Sequence, residues 1–120
     1  MTSNSQAILH DIRSEFEKMI NFVTGEQART ATADQMERGL FKLLIRLGAK
    51  LLTLFFVMRS QACSRDTLQT TTGQKLYYQH DVKRDYFSIF GKLTVGRPYF
   101  YKTGVGGQSP LDAELSLGAD

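Results

Sequence analysis

In 120 residues the chain has a single cysteine, Cys63, and only two histidines, His10 and His80. One cysteine excludes an internal disulfide and fits a reducing compartment. Metal binding by thiolate or imidazole needs several such ligands at close spacing. Cys63, His10 and His80 stand far apart, so no metal and no cofactor is expected in this chain. A Cys–His nucleophile pair would need Cys63 beside His80 with a third, orienting group, and nothing in the sequence demands that contact. An uninterrupted apolar run is also missing. The most apolar stretch, Leu40 to Met58, is broken by Lys42, Arg46 and Lys50. A charge at the centre of a membrane helix costs about 2.5–3.5 kcal/mol on insertion scales, so no membrane span is expected. Met1 leads into Thr2-Ser-Asn-Ser5 without a basic start or an apolar stretch, which argues against a signal peptide. By elimination the expected location is cytoplasmic.

Phosphate-loop chemistry is absent too. Gly104-Val-Gly106-Gly107 lacks both the dinucleotide glycine spacing and a Walker lysine, and reads as a loop. Asp81 and Asp85 flank Lys83 and Arg84, which would neutralise them, so they read as turn residues. No internal repeat and no catalytic constellation is visible.

What is present is a globular composition, 42% apolar and 22% charged, which argues against wholesale disorder in a chain of one-domain length. The net charge of +3 hides an asymmetry. Residues 1–40 carry four Lys/Arg against six Asp/Glu, or −2; residues 41–104 carry eleven against three, or +8; the remainder carries −3. A basic middle between acidic ends suits a polyanion, because clustered cations release counterions from a phosphate backbone. A solvated basic surface without a partner is the competing reading.

Ile8, Ile12, Phe16, Met19 and Val23 recur at helical spacing and predict a first helix ending at Gly25. Glu26 to Ala33 reads as a connector. Thr32 and Gln35 have capping-box spacing, which predicts a second helix from about Ala33 to about Ser60, longer than most. Along it Leu40, Leu44, Leu47, Leu51, Leu54 and Met58 keep 4-3-4-3-4 spacing, a heptad seam and the candidate oligomerisation surface. Ile45, Leu52 and Phe56 lie on the far side, so the helix is apolar on two faces. Arg38, Lys42, Arg46 and Lys50 form a basic strip between them. Either the later β segment or a second copy of the chain must cover the second face.

Residues 63–75 are rich in Thr, Gln and Ser and read as a linker. All five tyrosines, and eight of the thirteen aromatics, then fall between Tyr77 and Tyr101. Lys75–Val82, Tyr86–Ile89 and Lys92–Tyr101 read as strands, with Gly91 at a tight turn and Pro98 at an edge or a bulge. Thr103 to Ser109 reads as a flexible loop. The expected class is α+β: an N-terminal helix pair with a long second helix, then a small antiparallel sheet ending in a hairpin. The regions are 1–62 helical, 63–75 linker, 76–103 hairpin, and 104–120 a loop opening a downstream domain.

Lys83, Arg84, Lys92, Arg97 and Lys102 sit among Tyr86, Phe87, Phe90, Tyr99, Phe100 and Tyr101. Such a surface grips phosphates through its cations and contacts sugars or bases through its rings. Alternatively, the rings form the hairpin's core and the cations merely face solvent. With Lys42, Arg46 and Lys50 these five basic residues are the candidate DNA contacts.

Phe90-Gly-Lys-Leu-Thr-Val-Gly-Arg-Pro-Tyr-Phe-Tyr101 and Pro110-Leu-Asp-Ala-Glu-Leu-Ser-Leu117 resemble the N-terminal region of bacterial insertion-sequence transposases of the Kra group, distant relatives of the Mutator-type transposases. Leu47-Gly-Ala-Lys-Leu-Leu52 and Asp85-Tyr-Phe-Ser-Ile-Phe-Gly91 agree with it. The resemblance covers about residues 8–120 and is most specific in 85–118. It implies a parent enzyme of several hundred residues whose later RNase H-like domain holds an acidic trio and two divalent metals, Mg2+ being expected, for strand transfer. Asp112, Glu114 and Asp120 belong to the segment leading toward that domain and receive no catalytic role. The expected function is therefore the non-catalytic N-terminal part of a DNA transposase, binding insertion-sequence ends and pairing subunits as a homo-oligomer. Two alternatives stay open: a dimerising module that regulates the full-length transposase, and an inactive pseudogene product.

Overall fold

The computed structural model describes residues 3–118. Asp120, one of the late acids named above, lies outside them. The fold is α+β. Helix α1 spans Ser3–Thr24, a 3-10 turn follows at Glu26–Arg29, and helix α2 spans Ala33–Ala62. Strands β1 (Leu68–Gln69), β2 (Lys75–Ser88), β3 (Gly91–Lys102) and β4 (Gly106–Gln108) form one sheet in the order β1-β2-β3-β4, and the short helix α3 spans Pro110–Glu114. The described chain divides into two compact units. The first comprises residues up to Leu54 with the hairpin tip Ser88–Gly91; the second comprises Phe55–Phe87 and the residues from Lys92 on. Both α2 and the β2–β3 hairpin contribute residues to each unit, so the units divide the chain differently from the regions read off the sequence.

In the first unit the helix boundaries follow local chemistry. Gly25 closes α1 with its N–H donating to the Asn21 carbonyl at 2.7 Å. The capping box forms: the Gln35 N–H donates to Thr32 Oγ1, and the Thr32 N–H donates to Gln35 Oε1, both at 3.1 Å. The helices run antiparallel, since Asp11 meets Lys50, Glu15 meets Arg46, and the Phe22 ring lies over Gly39. At the hairpin tip the Phe90 N–H donates to Ser88 Oγ, which donates to the Gly91 carbonyl. Gly91 has φ +108°, a conformation side chains disfavour, so the expected turn is present. The Phe90 ring occupies the space a side chain at Gly48 would take.

The helix faces differ from the expected ones. Ser5, Ile12, Glu15 and Met19 are buried on α1, whereas Phe16 is 53% and Val23 42% exposed. The stripe has turned because Glu15 faces Arg46 and Lys50 of α2 at 3.3 and 3.6 Å. Those ion pairs and the close approach at Gly39 bring Glu15 inward and leave Phe16 outside. The heptad seam also splits. Leu40, Leu47 and Leu54 are half-buried, while Leu44, Leu51 and Met58 are exposed.

The second unit has the denser core: Phe56, Leu76, Val95, Phe100 and Leu111 are all buried. The Phe56 ring meets Tyr86 edge-on at 5.3 Å, and Phe100 meets Tyr78 at 6.0 Å. Three sequence expectations are corrected here. Asp81 and Asp85 are not turn residues but strand residues within a continuous β2. Leu76, Tyr78, Val82, Arg84 and Tyr86 alternate inward against exposed Lys75, Tyr77, Gln79, Asp81, Lys83, Asp85 and Phe87; a charge run read as a break is the solvent face of a strand. The linker contains β1, which pairs Leu68 with Leu76 through a turn closed by Gly73. The glycine loop contains β4, paired with Phe100–Lys102; glycine suits it because the Tyr99 hydroxyl lies over Gly107. Pro98 sits beyond the end of that pairing, so its missing N–H removes no bond to β4. Arg97 and Pro98 are both buried, so inward–outward alternation slips by one residue, as at a bulge.

Candidate nucleic-acid interface

The second unit sorts its cations into two sets. Arg84 and Arg97 project inward and close on one carboxylate. Arg97 Nε donates to Asp112 Oδ1 at 2.9 Å and its Nη2 donates to Oδ2 at 3.3 Å, while Arg84 Nη1 donates to Oδ2 at 3.2 Å. Backbone carbonyls accept further bonds: Val82 from Arg97, and Leu117 and Gly118 from Arg84. The two guanidinium side chains are 10% and 7% exposed, so of the candidate DNA contacts these two are committed to anchoring α3 to the sheet. Asp112 is thereby a structural residue, a role the sequence reading did not give it. The signal lay in strand parity, since Arg84 is in phase with half-buried Val82 and Tyr86, and Arg97 with buried Val95.

A second cluster anchors the connector after α2. Arg65 donates to Asp81 from Nη2 at 2.9 Å and Nε at 3.2 Å, and the Tyr78 hydroxyl donates to Asp81 Oδ1 at 3.0 Å. The Arg65 hydrogen bonds hold the Asp81 carboxyl below its ordinary range, against the opposing effect of burial, and Asp81 in turn raises the Arg65 guanidinium. Arg65 Nη1 also ties down the Ser60 and Cys63 carbonyls. Burial, as the larger cause, pushes the Cys63 thiol up, the opposite of what an activated nucleophile requires.

The remaining cations face outward. Lys83 and Lys102 are exposed and make no ion pair among the described residues. Lys92 is 61% exposed and 3.9 Å from Asp85. Lys83 borders a row of rings. His80 and Tyr99 have centroids 6.1 Å apart, and Tyr99 and Tyr101 stack at 6.5 Å with 22° between planes. A cavity of about 430 Å³ adjoins the row, bounded by His80, Val82, Lys83, Arg97, Tyr99, Ser109 and Asp112. Planar rings beside solvated ammonium groups suit a phosphate backbone with bases or sugars alongside. Of the expected aromatics, Tyr86, Phe90 and Phe100 pack inside instead.

In the first unit the basic strip is mostly paired. Arg38 binds Asp34, Arg46 binds Glu15, and Lys50 binds Asp11 at 2.6 Å. The Asp11 hydrogen bond raises the Lys50 ammonium and lowers the Asp11 carboxyl. Lys42 is exposed and makes no ion pair among the described residues. No group of three or more His, Cys, Asp or Glu among the described residues is placed to hold a metal, and no described helix is long and apolar enough to cross a membrane. No family model, curated protein or solved structure matches the chain.

Proposed function

We propose that this chain is the N-terminal, non-catalytic part of an insertion-sequence DNA transposase, contributing DNA contact and subunit assembly to a metal-dependent parent enzyme. The transposase identity rests on the resemblance in residues 85–118. The DNA role is supported by one observation above the others, the ring row His80, Tyr99 and Tyr101 with exposed Lys83 at its edge. The pairing of Arg84 and Arg97 on Asp112 leaves Lys83 as the exposed cation beside the ring row, with Lys102 exposed at the end of β3.

Binding through them is salt-sensitive and weakly sequence-specific. An electrophoretic shift on insertion-sequence end DNA tests it. Lys83→Ala and Lys102→Ala should each flatten the plot of log affinity against log salt by about one unit for each phosphate no longer neutralised. Tyr101→Ala should weaken single-stranded binding by about tenfold, as stacking is worth about 1–3 kcal/mol per base. The absence of a shift, or a shift these variants leave unchanged, removes the DNA role. A dimerising module is the second reading, favoured by the exposed apolar side chains of the first unit. A chain that binds no DNA yet lowers the activity of full-length transposase on mixing would support it.

A further inference from the structure

The first unit leaves an unusual amount of apolar surface in water. On α1, Phe16 is 53%, Ile20 38% and Val23 42% exposed; on α2, Phe41 is 63% and Leu44 and Leu51 are each 48%. These are not scattered. Phe16 and Leu51 line one groove of about 400 Å³ with Ile12, Leu47, Arg13 and Glu17. The antiparallel register that sets Asp11 by Lys50 and Phe22 by Gly39 puts Ile20 at the level of Phe41 along the helix pair. The opposite edge of the helix pair is closed by the Asp11, Glu15, Arg46 and Lys50 ion pairs. One edge is therefore ionic and finished, and the other is apolar and open.

We infer that this open edge, Phe16 and Ile20 of α1 with Phe41, Leu44 and Leu51 of α2, is the contact between two copies of the chain related by a two-fold axis. The inference deepens the assembly half of the proposed function and rests on it; the DNA half is independent. The spacing is the first argument. Phe41, Leu44 and Leu51, all exposed, stand at a and d positions of a heptad. The a position between Leu44 and Leu51 is Gly48, which the chain's own Phe90 ring covers. That periodicity matches a partner helix at the exposed positions on either side of Gly48. Area is the second. With Val23 counted beside these five, the six exposed side chains, at on the order of 150–200 Å² each and half exposed, leave about 500 Å² of apolar surface. A standard interface uses about 800 Å² per partner, of which about 65% is apolar in homodimers. The two agree.

Charge gives the third argument and selects the symmetry. Arg13 and Glu17 stand one helical turn apart on the rim of the groove. A two-fold contact brings the same patch against itself, so a patch must carry both signs to be complementary to its own image. Across the axis Arg13 of one copy meets Glu17 of the other, twice. This also revises the oligomerisation seam expected from sequence: Leu44 and Leu51 lie on the open edge, whereas Leu40, Leu47 and Leu54 are half-buried within their own chain.

Sedimentation of the 120-residue chain tests the inference. The wild type should show a monomer–dimer equilibrium in the micromolar range. Phe16→Glu and Leu44→Glu, at exposed positions that leave the helical circular dichroism intact, should each be monomeric. Arg13→Glu should weaken association by about tenfold through like-charge contact, and the exchange Arg13→Glu with Glu17→Arg should restore it. A wild type that stays monomeric into the high-micromolar range overturns the inference and assigns the edge to another partner. So does a dimer that survives both Glu substitutions, or an exchange that fails to restore pairing. A monomer that still shifts DNA would remove this inference and keep the DNA role; a dimer that binds no DNA would do the reverse.

Discussion

The two units bury charge in mirror-image ways. In the first, the anion is inside: Glu15 is 1% exposed, while its partners Lys18, Arg46 and Lys50 are 65%, 62% and 28% exposed. In the second, the cations are inside: Arg84 and Arg97 are 10% and 7% exposed, around an Asp112 that is 24% exposed. The cost of breaking such a network depends on what is left behind, not on how many ion pairs are removed. Removing a buried ion leaves solvated partners that return to water, whereas removing the counter-ion of a buried charge strands it. The buried apolar side chains are also unequally shared, although the second unit exposes Phe55, Tyr77 and Phe87. The second unit buries Leu76, Val95, Phe100 and Leu111, while the first keeps Ile12 and Met19 inside and Phe16, Phe41, Leu44 and Leu51 outside.

Removing the two anions one at a time puts the greatest strain on this contrast. Asp112→Ala should destabilise the second unit by about 3 kcal/mol, at the lower edge of the range for stranding a buried charge because backbone carbonyls still accept from both arginines. Glu15→Leu should change stability by about 1 kcal/mol or less, in either direction, because a well-packed apolar replacement is often neutral, Lys18 and Arg46 are solvated, and Lys50 keeps Asp11. Urea midpoints followed by tyrosine near-ultraviolet dichroism for the first and helical dichroism for the second would read both. Equal losses would show that the mirror arrangement has no energetic meaning.

A second pairing sets leucines against each other. Leu111→Ala, at a fully buried position, should cost about 2–5 kcal/mol. Leu44→Ala, 48% exposed, should cost about 0.5 kcal/mol in the isolated monomer and more under conditions where the chain dimerises. Measuring Leu44→Ala at two protein concentrations separates its internal contribution from its contribution across the interface.

The smallest effect expected is a pH dependence of the second unit. The Asp81 carboxyl is held below its ordinary value by Arg65, so its contribution is present above the unfolded carboxylate range near about pH 4 and is lost as pH falls through the lowered folded value. Asp81→Asn should lower stability slightly at neutral pH, leave it unchanged below the folded carboxyl value, and so flatten the acid limb of the stability curve by that same small amount. The exposure of the pair, 31% and 46%, keeps the effect small. An unchanged acid limb would mean that the Arg65 contact contributes nothing to folding.

Much of this was legible in the chain. The Thr32–Gln35 capping box, the stop at Gly25 and the Gly91 turn are local devices, fixed by hydrogen bonds within a few residues, and each appears where the spacing places it. β1 and β4 were not legible, because a two- or three-residue strand has no periodicity of its own and exists only through its neighbour. The continuity of β2 across Lys83 and Arg84 was hidden for a related reason: a charged strand face and a turn have the same composition. The candidate cations were legible as a set but not as a division into two. Arg84 and Lys83 are adjacent in sequence, yet one is anchored to Asp112 and the other is in solvent.

The order of the elements, their caps and turns, and the two apolar faces of α2 follow from the residue order alone, because they depend on neighbours a few residues away. Which face of each helix is covered, which arginines are structural, and that Glu15 lies inside while Phe16 lies outside were settled by packing between elements. A helix's periodicity fixes which residues share a face; the direction that face takes is set by the partner across it, and for α1 the partner is the pair of cations Arg46 and Lys50.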